Sequence, residues 1–198
     1  MNKSGDENRS VRNTKKRIQD GLLTLLQKKQ INQITVKELT ELVDVNRGTF
    51  YFHYSDVYDL LYKIEDRFFN DFNTLLNGKE LKNSDDMYPY LVEIFSFLEK
   101  NSNMCRIFFS ENCDMKFFNN IKALVNDRCF AFWRASSEKS NDQRAVLYNA
   151  FVVSGCVGLM KRWLEDDFAE TPEEISQIVL DIITSGVGVI DNSNSSSE

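Results

Sequence analysis

The sequence predicts an all-helical protein of about nine helices, a small N-terminal domain followed by a larger helical remainder. Three observations carry that expectation. Proline is confined to Pro89 and Pro172, and glycine is thin at eight in 198 residues, so few points interrupt a helix. Apolar residues recur at three- and four-residue spacing, with little of the period-two alternation of strands. Helix-start signals recur along the chain: Thr35 ahead of Glu38, Asn46 ahead of an aromatic run, and Thr171-Pro172-Glu173-Glu174.

The first dozen residues are polar and expected to be mobile. RNTKKRIQDGLLTLLQKK then reads as a first helix, with Ile18, Leu22, Leu25 and Leu26 on one face. Its start is basic (Arg12, Lys15, Lys16, Arg17), a charge the helix dipole disfavours there unless an anion lies close. In ITVKELTELV, Thr35 and Glu38 form a capping box, and Val36, Leu39, Leu42 and Val43 are expected to line the inner face of a second helix. Asp44 and Val45 break it, and Asn46 caps a third. Two short helices across so short a turn have helix-turn-helix spacing. Ser55 is expected to cap a long fourth helix, with Asp56 and Asp59 in its first turn and Leu60, Leu61, Ile64, Phe68, Phe72, Leu75 and Leu76 as its buried stripe. After a polar connector, Asn77 to Asp86, helices are expected over about 87–100, 103–111, 114–137, 141–166 and 172–190. The closing DNSNSSSE is disordered by composition. The expected organisation is a basic arm and helix-turn-helix domain over 1–54, a connecting helix over 55–76, a larger helical domain over 77–190, and a tail over 191–198.

The net charge of -6 is unevenly spread. Residues 1–54 hold ten Lys/Arg against six Asp/Glu, and residues 55–198 hold fourteen against twenty-four. Only the front of the chain suits a polyanion. No apolar run is long enough to span a membrane. The polar start lacks the apolar stretch of a secretion signal. Cys105, Cys113, Cys129 and Cys156 contain no CxxC pair and are read as buried thiols of a reducing cytoplasm, so the expected location is cytoplasmic. With a single histidine, no HExxH and no glycine-rich phosphate loop, no catalytic constellation is visible, and neither enzyme activity, a metal nor a cofactor is expected.

The densest information lies in VNRGTFYFHY, Val45 to Tyr54, which packs four aromatic rings and the chain's one histidine into ten residues. One side of a reading helix must plug into its own domain while the other lies in a DNA major groove about 12 Å wide. Val45, Phe50 and Tyr54 suit the inward side. Arg47, Gly48 and Thr49 suit the exposed tip: Arg47 for guanine edges or a phosphate, Gly48 for close backbone approach, Thr49 for a base edge or a thymine methyl. Tyr51 and His53 carry ring donors that suit phosphates.

The run Ile34-Thr35-Val36-Lys37-Glu38-Leu39, then Val45 to Tyr54, then Asp56 and Leu60-Leu61, resembles the DNA-binding domain of the TetR (tetracycline-repressor-like) transcription factors. The likeness covers roughly residues 10–65 and rests on the Gly-Thr-[Phe/Leu]-Tyr-x-His-[Phe/Tyr] pattern behind a capped short helix. It implies an all-helical homodimer that reads an operator in double-stranded DNA and answers to a small-molecule effector, here unidentified. Carried over by position, Lys37, Arg47, Gly48 and Thr49 face bases; Thr35, Tyr51 and His53 face phosphates, joined by Arg12 and Lys16 of the basic first helix. The family usually carries lysine near the start of helix four, where this chain has Val57, so one phosphate contact is expected to be missing. The remainder resembles the family in architecture alone, which implies that residues 77–190 are an effector-binding and dimerisation domain. There Phe151, Gly155, Gly158, Ile178 and Ile182 are candidate dimer contacts, and Phe95, Phe108, Phe118, Phe130 and Trp133 are candidate pocket residues. Helix four, through Phe68 and Phe72, is expected to carry effector occupancy to the reading helices. The expected function is a repressor of a near-palindromic operator; the alternative is a ligand-sensing co-activator or adaptor of the same fold with weak or no DNA binding of its own.

Overall fold

A computed structural model describes the backbone of residues 9–79, 81, 84–110, 115–136 and 143–191, and their side chains except at 84, 130–136, 143–145 and 185–191. The polar start to residue 8, Cys113 and the tail from residue 192 lie outside the described residues. Nine α-helices and two short 3-10 turns make up the described secondary structure, with no strand among them: α1 (Arg9–Leu26), α2 (Val36–Leu42), α3 (Arg47–His53), α4 (Val57–Asn77), α5 (Met87–Lys100), α6 (Ser102–Phe108), α7 (Met115–Ser136), α8 (Gln143–Glu165) and α9 (Pro172–Asp191). The chain divides into two compact units, one of residues 1–69 and 103–114, the other of residues 70–102 and 115–198; the boundary falls inside α4.

In the first unit α1 packs on α2, and α2 on α3. Ile18, Leu22 and Leu26 of α1, Leu39 of α2, Phe50 of α3 and Leu60 of α4 are buried. Gly21 permits the α1–α2 approach: a Cβ there would stand 2.2 Å from Val43 Cγ1 and 3.1 Å from Leu39 Cδ1. Phe68 of α4 meets Phe108 of α6 edge-on, and Cys105 is fully buried.

Three local expectations need correction. The first helix is described from Arg9 to Leu26, so Lys15, Lys16 and Arg17 lie past its first turn, with Arg12 its fourth residue. Leu42 is 52% exposed, and Thr40 is buried in its stead. The buried Leu39 and Thr40 bracket the inward direction, along which Val36 and Val43 also point, and at about 100° per residue Leu42 is turned about 110° from it. Thr40 is accommodated because its hydroxyl donates to Val36 O (2.8 Å) or Lys37 O (3.0 Å). Finally, Asp56 rather than Ser55 caps α4: Asp59 N–H donates to Asp56 Oδ1 at 2.8 Å, while Ser55 N–H donates to Asp59 Oδ2 at 2.9 Å.

In the second unit α5 packs along α9, α7 along α8, and α8 on α9. Trp163 is the largest fully buried side chain among the described residues; its ring lies edge-on to Phe95 and Phe168, and Nε1 donates to Glu170 O at 2.8 Å. The start of α9 is a complete capping box, Glu174 N to Thr171 Oγ1 at 3.2 Å and Thr171 N to Glu174 Oε2 at 2.8 Å. Tyr148 of α8 donates to Ile183 O of α9 at 2.6 Å. Phe72 of α4 stacks on Phe97, and Tyr90 donates to Leu76 O at 2.9 Å.

Candidate nucleic-acid interface

The two short helices owe their ends to local hydrogen bonds. Thr35 caps α2, its Oγ1 accepting from Glu38 N–H at 3.2 Å, while the Glu38 carboxylate is held by Lys29. Val45 N–H donates to Thr40 O at 3.0 Å and Asp44 N–H to Glu41 O at 3.4 Å, the pairing of a Schellman C-cap. That motif needs a left-handed residue; Asp44 supplies it with φ 49°, a conformation Asp tolerates better than most side chains. Asn46 Oδ1 then accepts Gly48 N–H at 2.7 Å and starts α3.

Two cations outside the motif hold this turn and the end of α3. Arg17 of α1 donates through Nη2 to Val43 O and, at 3.1 Å, to Asp44 O. One basic residue of the N-terminal cluster is therefore occupied inside the unit. Lys63 of α4 donates to His53 O at 3.3 Å, pairs with Asp59 at 2.9 Å and lies 5.3 Å from the centre of the Tyr54 ring. The hydrogen bond from Lys63, seconded by Ser55 N–H, keeps the Asp59 carboxyl below its ordinary range. Neither clamp was legible in the sequence, since Arg17 lies 26 residues from Val43 and Lys63 ten from His53.

Arg47, Gly48, Thr49 and Tyr51 are exposed on α3, and His53 is half-buried, its ring 4.9 Å from that of Phe52. Phe50 and Tyr54 are buried and Val45 half-buried. Lys37 is exposed on α2 with only a 4.0 Å contact to Glu41. Arg12, Lys16 and Thr35 are exposed in the same unit. Thr35 spends a lone pair on its cap, and its O–H remains able to donate. Val57, where a lysine would stand in the resemblance, is buried. Phe52, assigned no role from the sequence, is 83% exposed.

The aromatic residues expected around a pocket are divided. Phe95 is core against Trp163, and Phe118 is half-buried. Phe108 belongs to the first unit, and the side chains of Phe130 and Trp133 lie outside the described residues. A buried amide stands there instead: Asn149 of α8 donates from Nδ2 to Oδ1 of the half-buried Asn126 of α7 at 2.8 Å, leaving Asn149 Oδ1 without a partner among the described residues. Burial pushes the thiols of Cys105 and Cys129 up to about 12 and that of Cys156 to about 11. Among the described residues no group of three His, Cys, Asp or Glu could hold a metal ion, and no helix is long and apolar enough to cross a membrane.

A TetR-type family model, described as a transcriptional regulator C-terminal region, matches residues 85–185, just over half of the chain. The chain belongs to the TetR family of transcriptional regulators. Within that family its similarities are distant. It is 23% identical over 175 residues to the HTH-type transcriptional regulator YxbF of Bacillus subtilis (strain 168), a match covering 84% of this chain and 44% of that protein. The chain thus spans under half the length of this curated relative. A TetR transcriptional regulator from Streptococcus agalactiae 2603V shares the fold with a TM-score of 0.58 and 23% identity, over 89% of this chain and 96% of that one. FadR from Bacillus subtilis, solved in complex with stearoyl-CoA, does so with a TM-score of 0.63 and 15% identity, over 86% and 98%. As a TetR-type chain the protein carries its family match mostly in the second unit, with residues 103–114 of the first, whereas the helix-turn-helix motif lies wholly in the first.

Proposed function

We propose that this TetR-family chain is a homodimeric, cytoplasmic transcriptional repressor that reads a near-palindromic operator through α3 and is released or recruited by a small-molecule effector. The observation that carries this reading is the two-sidedness of α3: Phe50 is buried while Arg47, Gly48, Thr49 and Tyr51 stand free on a helix clamped at both ends. In this reading residues 1–54 are the DNA head, 55–76 the connecting helix and 77–190 the effector and dimerisation domain. Lys37, Arg47, Gly48 and Thr49 meet bases. Thr35, Tyr51, His53, Arg12 and Lys16 meet phosphates.

Dimerisation is supported by an unpartnered apolar face in the second unit. Leu147, Phe151 and Ile182 are more than half exposed, with Ile178 beside them. On α8, Leu147, Phe151, Gly155 and Gly158 follow at i, i+4, i+8 and i+11, one helical stripe. A Cβ at either glycine would meet nothing within 4 Å, so their own chain does not require glycine there, and the space admits a second chain. Two heads about one DNA turn apart, roughly 34–36 Å, would match a two-fold symmetric operator.

Effector control rests on less. Asn149 Oδ1 is a buried acceptor awaiting a donor, and a relative of the same fold was solved with an acyl-CoA. The helix α4 has residues in both units and is the natural carrier of the coupling, which would be reciprocal between effector and DNA at about 1–3 kcal/mol. A gel shift with the full chain and the DNA upstream of its own gene tests the whole reading. Retarded, salt-sensitive binding is expected; no retardation at micromolar protein and low salt would favour a co-activator of the same fold that has ceased to bind DNA, an alternative to which the buried Val57 lends weight.

A further inference from the structure

We infer that Phe52 reads the 5-methyl group of a thymine in each operator half-site. The inference rests on α3 being the reading helix and adds to it a contact that the motif does not name. Successive residues of a helix are turned by about 100°. The fully buried Phe50 marks the inward direction. Gly48 and Phe52, two residues to either side, are each turned about 200° from it and so face straight away from the core. Thr49 and Tyr51 stand to the flanks, and His53 is turned back to about 60° from Phe50; Arg47 has the same offset on the other side, but at the open first position of the helix it stays exposed. The exposures follow this order: Phe52, at 83%, is the most exposed large apolar side chain among the described residues, while His53 is half-buried.

A reading helix lies in the major groove with its N-terminal residues on base edges; in the docking proposed here, the face of α3 opposite its own core is the one turned into the groove. On α3 that direction holds Gly48, which has no side chain, and Phe52 one turn further on. Gly48 therefore lets the backbone come near, and the ring of Phe52 reaches furthest. Its neighbour steadies it, since the Phe52 and His53 rings meet edge-on, 79° apart in plane. A phenyl ring has no donor or acceptor, so it cannot read the hydrogen-bonding edge of any base pair, nor a phosphate. The major groove offers one apolar group, the thymine C5-methyl. Packing the ring against it removes apolar surface of both groups from water, which is favourable.

The test begins with the full-length chain selecting duplexes from a randomised pool. Each thymine of the selected site is then replaced symmetrically by deoxyuridine, which deletes only the methyl. At one position per half-site wild-type affinity should fall about fourfold per half-site, about fifteenfold for both, the scale of one buried methyl. Phe52→Ala, which removes an exposed ring and should leave the fold intact, should bind the thymine duplex more weakly and be indifferent to deoxyuridine there. Phe52→Leu should retain part of the discrimination. The inference is overturned if no thymine in the half-site is methyl-sensitive, or if Phe52→Ala keeps the wild-type discrimination at every position. A wild-type chain that selects no duplex at all would sink the DNA-reading proposal and this inference with it, whereas selection without methyl sensitivity would sink the inference alone.

Discussion

If the chain dimerises as proposed, replacing Phe151 by glutamate should dissolve the dimer while leaving each protomer folded. The side chain is 69% exposed in the single chain. A phenylalanine presents roughly 200 Å², so about 140 Å² is open to a partner. Two-fold symmetry presents it twice, and at about 25 cal/mol/Å² full burial of both copies would contribute about 7 kcal/mol. Association rarely realises the whole of such a figure, because ordering and imperfect packing offset it. Taking half, about 3.5 kcal/mol is lost, which corresponds to a dissociation constant raised by two to three decades. Glutamate adds two like charges near the symmetry axis, which moves the result in the same direction. The assay is sedimentation equilibrium from nanomolar to tens of micromolar protein, with far-ultraviolet circular dichroism as the control. Because the ring has little packing of its own in the single chain, helicity should be unchanged. A wild-type protein that is monomeric throughout this range, or a variant that dimerises as tightly as wild type, would refute the assignment of this face.

Gly21→Ala should destabilise the first unit by about 1 kcal/mol in urea unfolding, since overpacking costs about 1–3 kcal/mol and Ala regains about 1 over Gly in a helix; a stabilised variant would show that the α1–α2 spacing is wrong. Tyr51→Phe should weaken binding to all DNA sequences alike through a lost phosphate bond, whereas Arg47→Ala should change base preference at one position per half-site by about 1–3 kcal/mol, both read by gel shift on a panel of operators. Stability should fall in alkali. Thiols normally near 9 are raised to between about 11 and 12 in the folded chain, so their contribution is complete below the unfolded value and is lost as pH climbs from there toward the folded values. The loss should approach about 1.4 kcal/mol per pH unit per thiol, and urea midpoints at pH 8 and pH 10 that coincide would contradict it.

The sequence by itself determined those features whose cause is local. Thr35, Asn46 and Thr171 start helices because each side chain accepts an N–H two or three residues ahead, a bond that needs no distant partner. The stripe of Ile18, Leu22 and Leu26 is likewise a property of one helix and its period. The two-sided character of VNRGTFYFHY was legible for the same reason, with Phe50 in and Arg47 to Thr49 out. What only the tertiary structure decided is which long-range partner each ambiguous side chain takes. Arg17 could have faced a phosphate, yet it turns to the carbonyls of Val43 and Asp44, more than twenty residues on. Leu42 and Thr40 exchange places because the inner face of a seven-residue helix is set by where α1 approaches it, at Gly21. Phe108 reads like any ring of the aromatic middle, but its contact with Phe68 puts it in the first unit. Phe52 and Phe151 are indistinguishable from core by composition, because hydrophobicity says that a side chain is better buried without saying against what. Both stand exposed in the single chain, and what covers them, on the reading proposed here, is DNA for one and a second copy for the other.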